Sequence, residues 1–378
     1  MKYIFAPDSF KGSLSAAQMT QILTRTAKAY DREAICCPVP VADGGEGTVE
    51  ALIEALGGEY RETWVTGPKG EAVRARWGML QDGTAVMEMA QASGLPLMGE
   101  EKDPMKATSY GTGELLAAIL DAGCRDILIG IGGSATNDGG MGCLSALGVR
   151  FMDAQGTVLR GSGQELCEVV QVDASGLDPR VKEASLRVIC DVTNPLLGET
   201  GATAVYGPQK GVTQEIYPVL EAGMARYAGM MERAGYPVEG RPGCGAAGGM
   251  GGALSGVLGA QLMRGIDAVL ETVGFDTLLQ DADFVFTGEG RLDSQSILHG
   301  KVVSGILERS AAADVPVIIL CGSSLVTAKE AFGKAKGSII TTVDRLDSLE
   351  NTMNRAFDAY EEAADRAFRL LFMGNMHE

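Results

Sequence analysis

The first 66 residues alternate between short apolar runs and segments in which apolar residues recur every three or four positions. The apolar runs at 3–6, 34–41 and 59–65 predict β-strands, and the helical period of 19–30 and 49–56 predicts amphipathic helices. Such strand–helix alternation is typical of a parallel sheet with helices on both faces.

The same alternation returns near the C-terminus. Apolar runs at 284–286, 317–320 and 338–342 predict three further strands, and the pattern at 349–371 predicts one long closing helix. Between these blocks the alternation breaks down, and an antiparallel hairpin is predicted within 74–89.

The simplest architecture is a doubly wound α/β domain built from both ends of the chain. We expect this domain to comprise residues 1–68 and 278–378, with a second α/β domain, containing a mixed sheet, inserted at 69–277.

Composition narrows the function classes. The 32 Lys and Arg against 49 Asp and Glu give a net charge of −17, which argues against nucleic acid or an anionic membrane as a partner. The 52 glycines cluster between apolar runs, which indicates tight loops where backbone approaches a ligand. No cysteine pair has Cys-x-x-Cys spacing, and Pro7 and Asp8 come too early for a signal peptide. We therefore expect a soluble, cytoplasmic protein with reduced cysteines.

Polar clusters follow three of the predicted strands. Residues 8–12 follow the first strand, 43–48 the second and 287–293 the fourth, and each cluster has a carboxylate beside glycine. Ligands of doubly wound sheets bind outside the carboxyl ends of the strands. Carboxylates bind Mg²⁺, and glycines let backbone N–H groups approach phosphate, so the clusters predict a Mg²⁺–phosphate site.

A fourth glycine cluster follows the predicted strand at 127–131. Residues 130–135 match the dinucleotide fingerprint GxGxxG/A, with Asp153 at a suitable distance downstream. However, 137–140 (Asn-Asp-Gly-Gly) would break the helix that a fingerprint must open, and the cluster fits a phosphate or nucleotide loop better.

Two further loops, 190–196 and 206–211, are polar and punctuated by Gly and Pro. They offer Asp191 and Lys210 to a ligand. The chain has no P-loop, no protein-kinase HRD or DFG motif and no Gly-x-Ser-x-Gly, and it has only two histidines. A general base is therefore expected to be a carboxylate.

Seven motifs together resemble the bacterial glycerate kinases that phosphorylate D-glycerate. They are APDSFKGS at 6–13, PVADGGEGT at 40–48, GIGGSATNDGG at 130–140, CDVTNPL at 190–196, GPQKG at 207–211, GAAGGMG at 245–251 and TGEGRLDSQS at 287–296. The resemblance runs from residue 3 to the final helix.

The resemblance implies ATP- and Mg²⁺-dependent phosphorylation of D-glycerate at the 2-hydroxyl, giving 2-phosphoglycerate. It also implies a flavodoxin-like domain, an inserted domain, and a site in the cleft between them. The partners are then the small molecules D-glycerate and ATP, and the oligomeric state, a homodimer included, stays open.

Roles follow from what phosphoryl transfer requires. Asp191 and Asp43 are the first candidates for proton acceptor and metal ligand, with the division between them open; Lys11, Lys210 and Arg291 are candidates to hold the glycerate carboxylate or the γ-phosphate. The candidates are Asp191, Asp43, Lys11 and Arg291 for catalysis; Asp8, Ser9, Gly44, Gly45, Gly132, Gly133, Ser134, Thr136, Asn137, Asp138, Lys210 and Glu289 for substrate or nucleotide binding; and Asp43, Asp191, Glu289 and Asp293 for the metal.

Alternatives remain. A glycerate 3-kinase or a kinase of another small hydroxy acid would use the same groups. An NAD-dependent hydroxy-acid dehydrogenase rests only on the fingerprint match, and a non-catalytic, carboxylate-sensing regulator would bind glycerate without releasing ADP.

Overall fold

The computed structural model describes residues 1–10, 12–39, 41, 48–298, 301–345 and 347–373. The chain divides into two compact units. Unit 1 is formed by Met1–Asp43 and Val269–Glu378, and unit 2 by Gly44–Ala268.

The strands of the described residues follow the order of the chain. They are β1 Lys2–Pro7, β2 Ile35–Pro38, β3 Gly58–Thr66, β4 Ala72–Leu80, β5 Ala85–Glu88, β6 Asp126–Gly130, β7 Arg150–Met152, β8 Val158–Leu159, β9 Gln171–Asp173, β10 Ser185–Ile189, β11 Gln261–Met263, β12 Phe284–Gly288, β13 Arg291–Leu292, β14 Val317–Cys321, β15 Ser323–Ser324 and β16 Gly337–Thr341.

The α-helices are numbered in the same way. They are α1 Ala16–Tyr30, α2 Thr48–Leu56, α3 Ala90–Ser93, α4 Tyr110–Asp121, α5 Met141–Ala146, α6 Ala202–Tyr206, α7 Tyr217–Arg233, α8 Ala246–Val257, α9 Gly265–Thr272, α10 Phe275–Leu279, α11 Ser294–Leu298, α12 Val302–Ala312, α13 Ala328–Phe332, α14 Leu349–Asn354 and α15 Ala356–Phe372. None of these described helices combines the length and the apolar character needed to cross a lipid bilayer.

Unit 1 contains a five-stranded parallel sheet in the order β16-β14-β12-β1-β2. With its strands counted along the chain, this is the 2-1-3-4-5 order of flavodoxin-like folds. The chain leaves β1 in one direction, towards β2, and leaves β12 in the other, towards β14. The switch point of the topology therefore lies between β1 and β12.

An aromatic core holds α15 against this sheet. Tyr3 and Phe5 of β1 point to the same face because strand side chains alternate, and both are fully buried. Phe368 of α15 stacks on Phe286 of β12 with ring centroids 4.9 Å apart and meets the edge of Tyr3 at 5.3 Å. This packing fixes the strands whose carboxyl ends carry the polar clusters.

Unit 2 contains a six-stranded mixed sheet in the order β11-β10-β6-β5-β4-β3. Its first four strands run parallel, whereas β4 and β3 are antiparallel additions. The predicted hairpin at 74–89 is confirmed, since Gly78 of β4 pairs with Val86 of β5. The mixed sheet is also as predicted.

The predicted third strand has a different place from the one expected. β3 is not part of the parallel sheet; it pairs antiparallel with β4 along its whole length, from Gly58↔Leu80 to Thr66↔Ala72. The polar turn at 67–71 joins the two strands directly, with the Gly67 N–H donating to the Glu71 carbonyl at 2.6 Å. Local pairing thus replaces the expected crossover, and the units divide after residues 43 and 268 instead of 68 and 277.

The closing helix is also interrupted. One helix was expected over 349–371, but α14 ends at Asn354 and α15 starts at Ala356. Arg355 between them has φ −99° and ψ 7°, which departs from helical geometry.

Candidate functional site

In unit 1, Asp8 and Glu289 stand side by side at the switch point of the parallel sheet. They follow β1 and β12, whose last residues Pro7 and Gly288 are in register. The Asp8 N–H donates to the Gly288 carbonyl at 2.8 Å, and the Ser9 N–H donates to Asp8 Oδ1 at 2.7 Å. Ligands bind at such a switch point in open α/β sheets.

The Glu289 carboxyl is buried in a mostly acidic environment. Burial raises its pKa, the nearby Asp8 and Asp293 carboxylates raise it further, and a hydrogen bond with Ser296 and the charge of Lys301 act in the opposite direction. Glu289 Oε1 is buried and has no hydrogen-bond partner in the described part of the chain. Two other predicted site residues therefore lie near enough to act on the Glu289 carboxyl, and one Glu289 oxygen has no partner among the described residues.

Asp293 and Arg291 have more local surroundings. Asp293 Oδ1 accepts the N–H groups of Gln295 at 2.9 Å and Ser296 at 3.2 Å, at the start of α11. The hydrogen bond from the Ser296 backbone is the largest cause of a lowered Asp293 pKa. Arg291 belongs to β13, its side chain is exposed, and it forms no ion pair with the described residues.

The carboxylates at the switch point offer part of the donor set that a divalent cation needs. Within the described ranges, no three His, Cys, Asp or Glu side chains lie close enough to hold one ion. Carboxylate oxygens are nevertheless the donors that Mg²⁺ prefers, and the unpartnered Glu289 Oε1 fits this chemistry. Four predicted site residues, Lys11, Asp43, Gly44 and Gly45, lie outside the described residues.

In unit 2, the loop at 131–140 links β6 to α5 and carries a run of unused backbone donors. Along 132–138 the Ala135 N–H donates to the Ser93 carbonyl at 2.9 Å. The N–H groups of the other residues in this run donate no hydrogen bond to any described residue. Gly132 and Gly133 are exposed at the carboxyl end of β6, and Gly133 has φ +69°. Successive free N–H groups of this kind bind anions.

The side chains of the same loop are also incompletely paired. Thr136 and Asn137 are fully buried, yet Thr136 Oγ1 and Asn137 Oδ1 have no partner in the described structure. Asn137 Nδ2 donates to Thr203 Oγ1 at 3.2 Å, which fixes its amide. Because buried polar groups are nearly always satisfied, these atoms and the free N–H groups indicate that a ligand or water completes the loop.

Asp138 is the anchor of the loop. Its Oδ2 accepts from the Ser109 N–H at 2.8 Å, the Ser109 hydroxyl at 2.7 Å and the Gly142 N–H at 3.3 Å, while Oδ1 accepts from the Gly140 N–H at 3.1 Å. Burial raises the pKa of Asp138 and these hydrogen bonds lower it. These four hydrogen bonds fix the Asp138 carboxylate within the protein. Its role in ligand binding stays a prediction.

Lys210 lies beneath the loop. It is 2% exposed, and its ammonium donates to Ser134 Oγ at 2.8 Å and to the Thr136 carbonyl at 2.7 Å. Burial lowers the pKa of Lys210 to about 7, although Asp138 acts to raise it. The sequence predicted both Lys210 and Ser134 without predicting their contact.

Gly248 also packs closely against the Thr136 carbonyl. A Cβ on Gly248 would lie 2.1 Å from that oxygen, so only glycine allows this approach. Ala247, Gly248 and Gly249 have φ of 53°, 70° and 97°, which turns the chain so that the Gly248 carbonyl accepts the Gly139 N–H at 2.9 Å.

Asp191 follows β10 and its side chain is exposed. Its Oδ1 accepts the Gly265 N–H at 2.7 Å, at the start of α9. The carboxylate therefore already binds the positive end of a helix.

Sequence reasoning missed two buried residues near these loops, Ser109 and Glu88. Glu88 ends β5, is 6% exposed, and accepts the Val49 N–H at the start of α2 at 3.2 Å. A carboxylate inside the apolar run at 85–89 was a usable signal. Ser109 had none, because its partner Asp138 is 29 residues away.

The dinucleotide fingerprint fails on geometry. Such a motif opens a helix directly after the strand, so that the helix N-terminus meets the pyrophosphate. Here β6 ends at Gly130 and α5 begins only at Met141.

Comparisons with known proteins agree with one another. The glycerate kinase family model matches residues 3–372. The sequence is 47% identical to Bacillus subtilis glycerate kinase, covering 96% of both chains, and 44% identical to Escherichia coli glycerate 2-kinase, covering 95% and 94%. A crystal structure described provisionally as glycerate kinase 2, from Salmonella typhimurium LT2, superimposes with a TM-score of 0.85 at 44% identity over 99% of both chains.

Proposed function

The chain belongs to the glycerate kinase family, and on that premise we propose that it transfers the γ-phosphoryl group of ATP to D-glycerate. The products would be ADP and 2-phospho-D-glycerate. The observation that carries the choice of the 2-hydroxyl is the 44% identity to the Escherichia coli glycerate 2-kinase over nearly the full length. Transfer to the 3-hydroxyl, or to another small hydroxy acid, is the alternative that the same groups would serve.

The unit 2 loop supports this proposal because both substrates are anions. The exposed turn at Gly132 and Gly133 offers free N–H groups at the carboxyl end of β6. A carboxylate or phosphate bound there would satisfy donors that the described protein leaves unused. We assign this loop to an anionic group of glycerate or ATP.

The switch point of unit 1 is the proposed place for the metal. Glu289, with Asp8 beside it, offers hard oxygen donors that suit Mg²⁺. When bound, the ion would neutralise charge on the ATP phosphates. Asp293 is less suited, because one of its oxygens already accepts the first N–H groups of α11.

The remaining chemical requirement is a group that accepts the hydroxyl proton of glycerate as the new O–P bond forms. Asp191 and Asp43 remain the candidates. The Gly265 N–H holds one Asp191 oxygen in place and fixes the direction of the carboxylate. Lys11 and Arg291 remain candidates to stabilise negative charge, and the exposed Arg291 guanidinium has the fork geometry that suits a carboxylate.

The test is ADP release from MgATP on addition of D-glycerate, with the position of phosphate in the product read by phosphorus NMR. We expect 2-phosphoglycerate. A control without glycerate measures hydrolysis of ATP by water. Folded protein that binds MgATP but releases no ADP with any small hydroxy acid would contradict the kinase proposal.

The role of Asp191 has its own test. Asp191→Asn keeps an oxygen to accept the Gly265 N–H but loses the charge, so folding should be preserved while kcat falls by at least about 100-fold. Asp126→Asn is the control, because Asp126 is the first residue of β6 and lies away from the carboxyl ends of the strands; this variant should keep normal turnover. Near-normal turnover of Asp191→Asn would remove that residue from the catalytic candidates.

A further inference from the structure

Lys210 is a buried lysine of unit 2, and its surroundings do not explain why a charged side chain is placed there. Its hydrogen bonds go to Ser134 Oγ and the Thr136 carbonyl, which are neutral acceptors. No carboxylate of the described residues forms an ion pair with it. An unpaired charge in the interior is costly, so its retention points to a role beyond packing.

The described charged groups around Lys210 form no direct ion pair with it. Asp138, from the 131–140 loop, is the carboxylate that acts on its pKa, but the oxygens of Asp138 are taken up by Ser109, Gly140 and Gly142. Lys102 donates to the carbonyl of Gln209, the residue before Lys210 in the chain, at 2.9 Å. When Lys210 is protonated, Asp138 acts on its charge only from a distance, without a direct contact between the two groups.

The contacts of Lys210 reach directly into the run of free N–H groups. Ser134 follows the exposed Gly132 and Gly133, and Thr136 carries the unpartnered Oγ1. Lys210 itself is 2% exposed, so an incoming ligand would meet the loop before it meets the lysine.

We propose that Lys210 is a positioning residue, which holds Ser134 and Thr136 so that the N–H groups of Gly132 and Gly133 bind an anionic group of a substrate. The inference rests on the proposed kinase function and refines it, since it moves Lys210 from the ligand contacts to their support. The anionic group is a carboxylate if it belongs to glycerate and a phosphate if it belongs to the nucleotide.

Calorimetric titration tests the proposal without requiring turnover. D-glycerate alone and ADP alone are titrated into the wild-type chain, into Lys210→Met and into Lys182→Met, whose side chain is exposed in the same unit. We expect Lys210→Met to weaken binding of one of the two ligands at least tenfold, and Lys182→Met to change neither. The affected ligand identifies the source of the anion.

The pH dependence separates this role from a merely structural one. Because the pKa of Lys210 is lowered to about 7, the protonated fraction falls to about a tenth at pH 8. If the protonated form is the competent one, the affinity of the wild-type chain falls up to about tenfold between pH 6 and pH 8. The Lys210→Met variant should lack this part of the change, since titration of the ligand itself is common to both proteins.

A double-mutant cycle with Ser134→Ala tests the route of the effect. If Lys210 acts through Ser134, the combined loss of affinity is smaller than the product of the separate losses. A full product would mean that Lys210 does not act through Ser134, and it would overturn the positioning role as stated. Where Lys210→Met does not fold, proton uptake by the wild-type chain on binding at pH 8 gives the same decision, with no uptake counting against the proposal.

The two levels of the proposal fail differently. Equal affinities and equal pH dependence in the wild-type chain and Lys210→Met overturn the positioning role and leave the kinase function in place. A folded wild-type chain that binds neither D-glycerate nor ADP overturns the proposed function, and the inference with it.

Discussion

Replacing Gly248 with alanine should damage unit 2 more than the same change at Gly259. Gly248 lies in the first turn of α8, and Gly259 lies two residues after its end. The two have nearly the same left-handed φ, +70° and +71°. A side chain in this conformation costs about 1–2 kcal/mol at either position. The two sites differ in space, because nothing lies within 4 Å of a Cβ at Gly259.

The extra cost at Gly248 comes from the overlap with the 131–140 loop. Its new Cβ would lie 2.1 Å from the Thr136 oxygen and 2.9 Å from the Asn137 Cα, both backbone atoms. The Thr136 carbonyl cannot move away freely, since it also accepts a hydrogen bond from the buried Lys210 at 2.7 Å. Overpacking of this kind costs about 1–3 kcal/mol, so Gly248→Ala should lose about 2–5 kcal/mol in total.

Equilibrium urea unfolding and thermal melting of both variants measure the difference. For a domain of the size of unit 2, a gap of 1–3 kcal/mol corresponds to a difference in melting temperature of about 2–12 °C. Equal melting temperatures of Gly248→Ala and Gly259→Ala would refute the reasoning, because the overlap with the loop would then carry no cost.

Three further predictions concern the groups around the two sites. Ser109→Ala removes the hydroxyl donor to buried Asp138 and should lower the free energy of unfolding by about 1–3 kcal/mol, measured in urea against Ser294→Ala at an exposed position. The pKa of Lys210 is about 7 in the folded chain, below that of an unfolded lysine, so above about pH 7 the unfolded state binds more protons. The wild-type free energy of unfolding should therefore rise with pH by up to about 1.4 kcal/mol per pH unit in this range. The Lys210→Met variant should lack this slope. Asp293→Ala should lower the melting temperature by uncapping α11, whereas Asp293→Asn, which can still accept the N–H groups, should not.

The strands were predictable because their signal is local. The apolar run at 284–286, for example, became β12 because its residues are buried in a parallel sheet, and such burial is written into the sequence as a continuous apolar segment. The partner of a strand is not local information. Residues 59–65 have the same strand character whether they join the parallel sheet or pair with β4, and only the short turn at 67–71 favoured the second choice.

The interruption at Arg355 had no comparable signal. Neither glycine nor proline occurs near it, and the apolar spacing continues across the break from Met353 to Phe357. Tertiary contacts around α14 and α15, which the periodicity does not contain, decide the geometry there.

Residue types at the site could be predicted, but their exposure could not. The glycine cluster at 130–140 drew attention to its loop, because ligands of open α/β sheets bind at strand ends, and its role in binding stays a prediction. Whether Thr136, Asn137 and Asp138 face a ligand or the interior depends on the partners that fold over them. Those partners, Ser109, Thr203 and Gly248, come from distant parts of the chain.

In the 131–140 loop, the side chains that are fully hydrogen-bonded within the protein and the backbone N–H groups without a partner are different groups. Asp138 and Lys210 are both buried and hydrogen-bonded within the protein, which suits the support of the loop that we propose for Lys210. Besides the Thr136 hydroxyl, the donors of the loop that the described protein leaves unused are backbone N–H groups, whose direction is set by the shape of the loop. Donors held in place before a ligand arrives need no reordering when it binds, and this lowers the cost of binding. Buried charged side chains that hold a loop whose backbone N–H groups have no protein partner are therefore the arrangement expected where a small anion is to be held in one orientation.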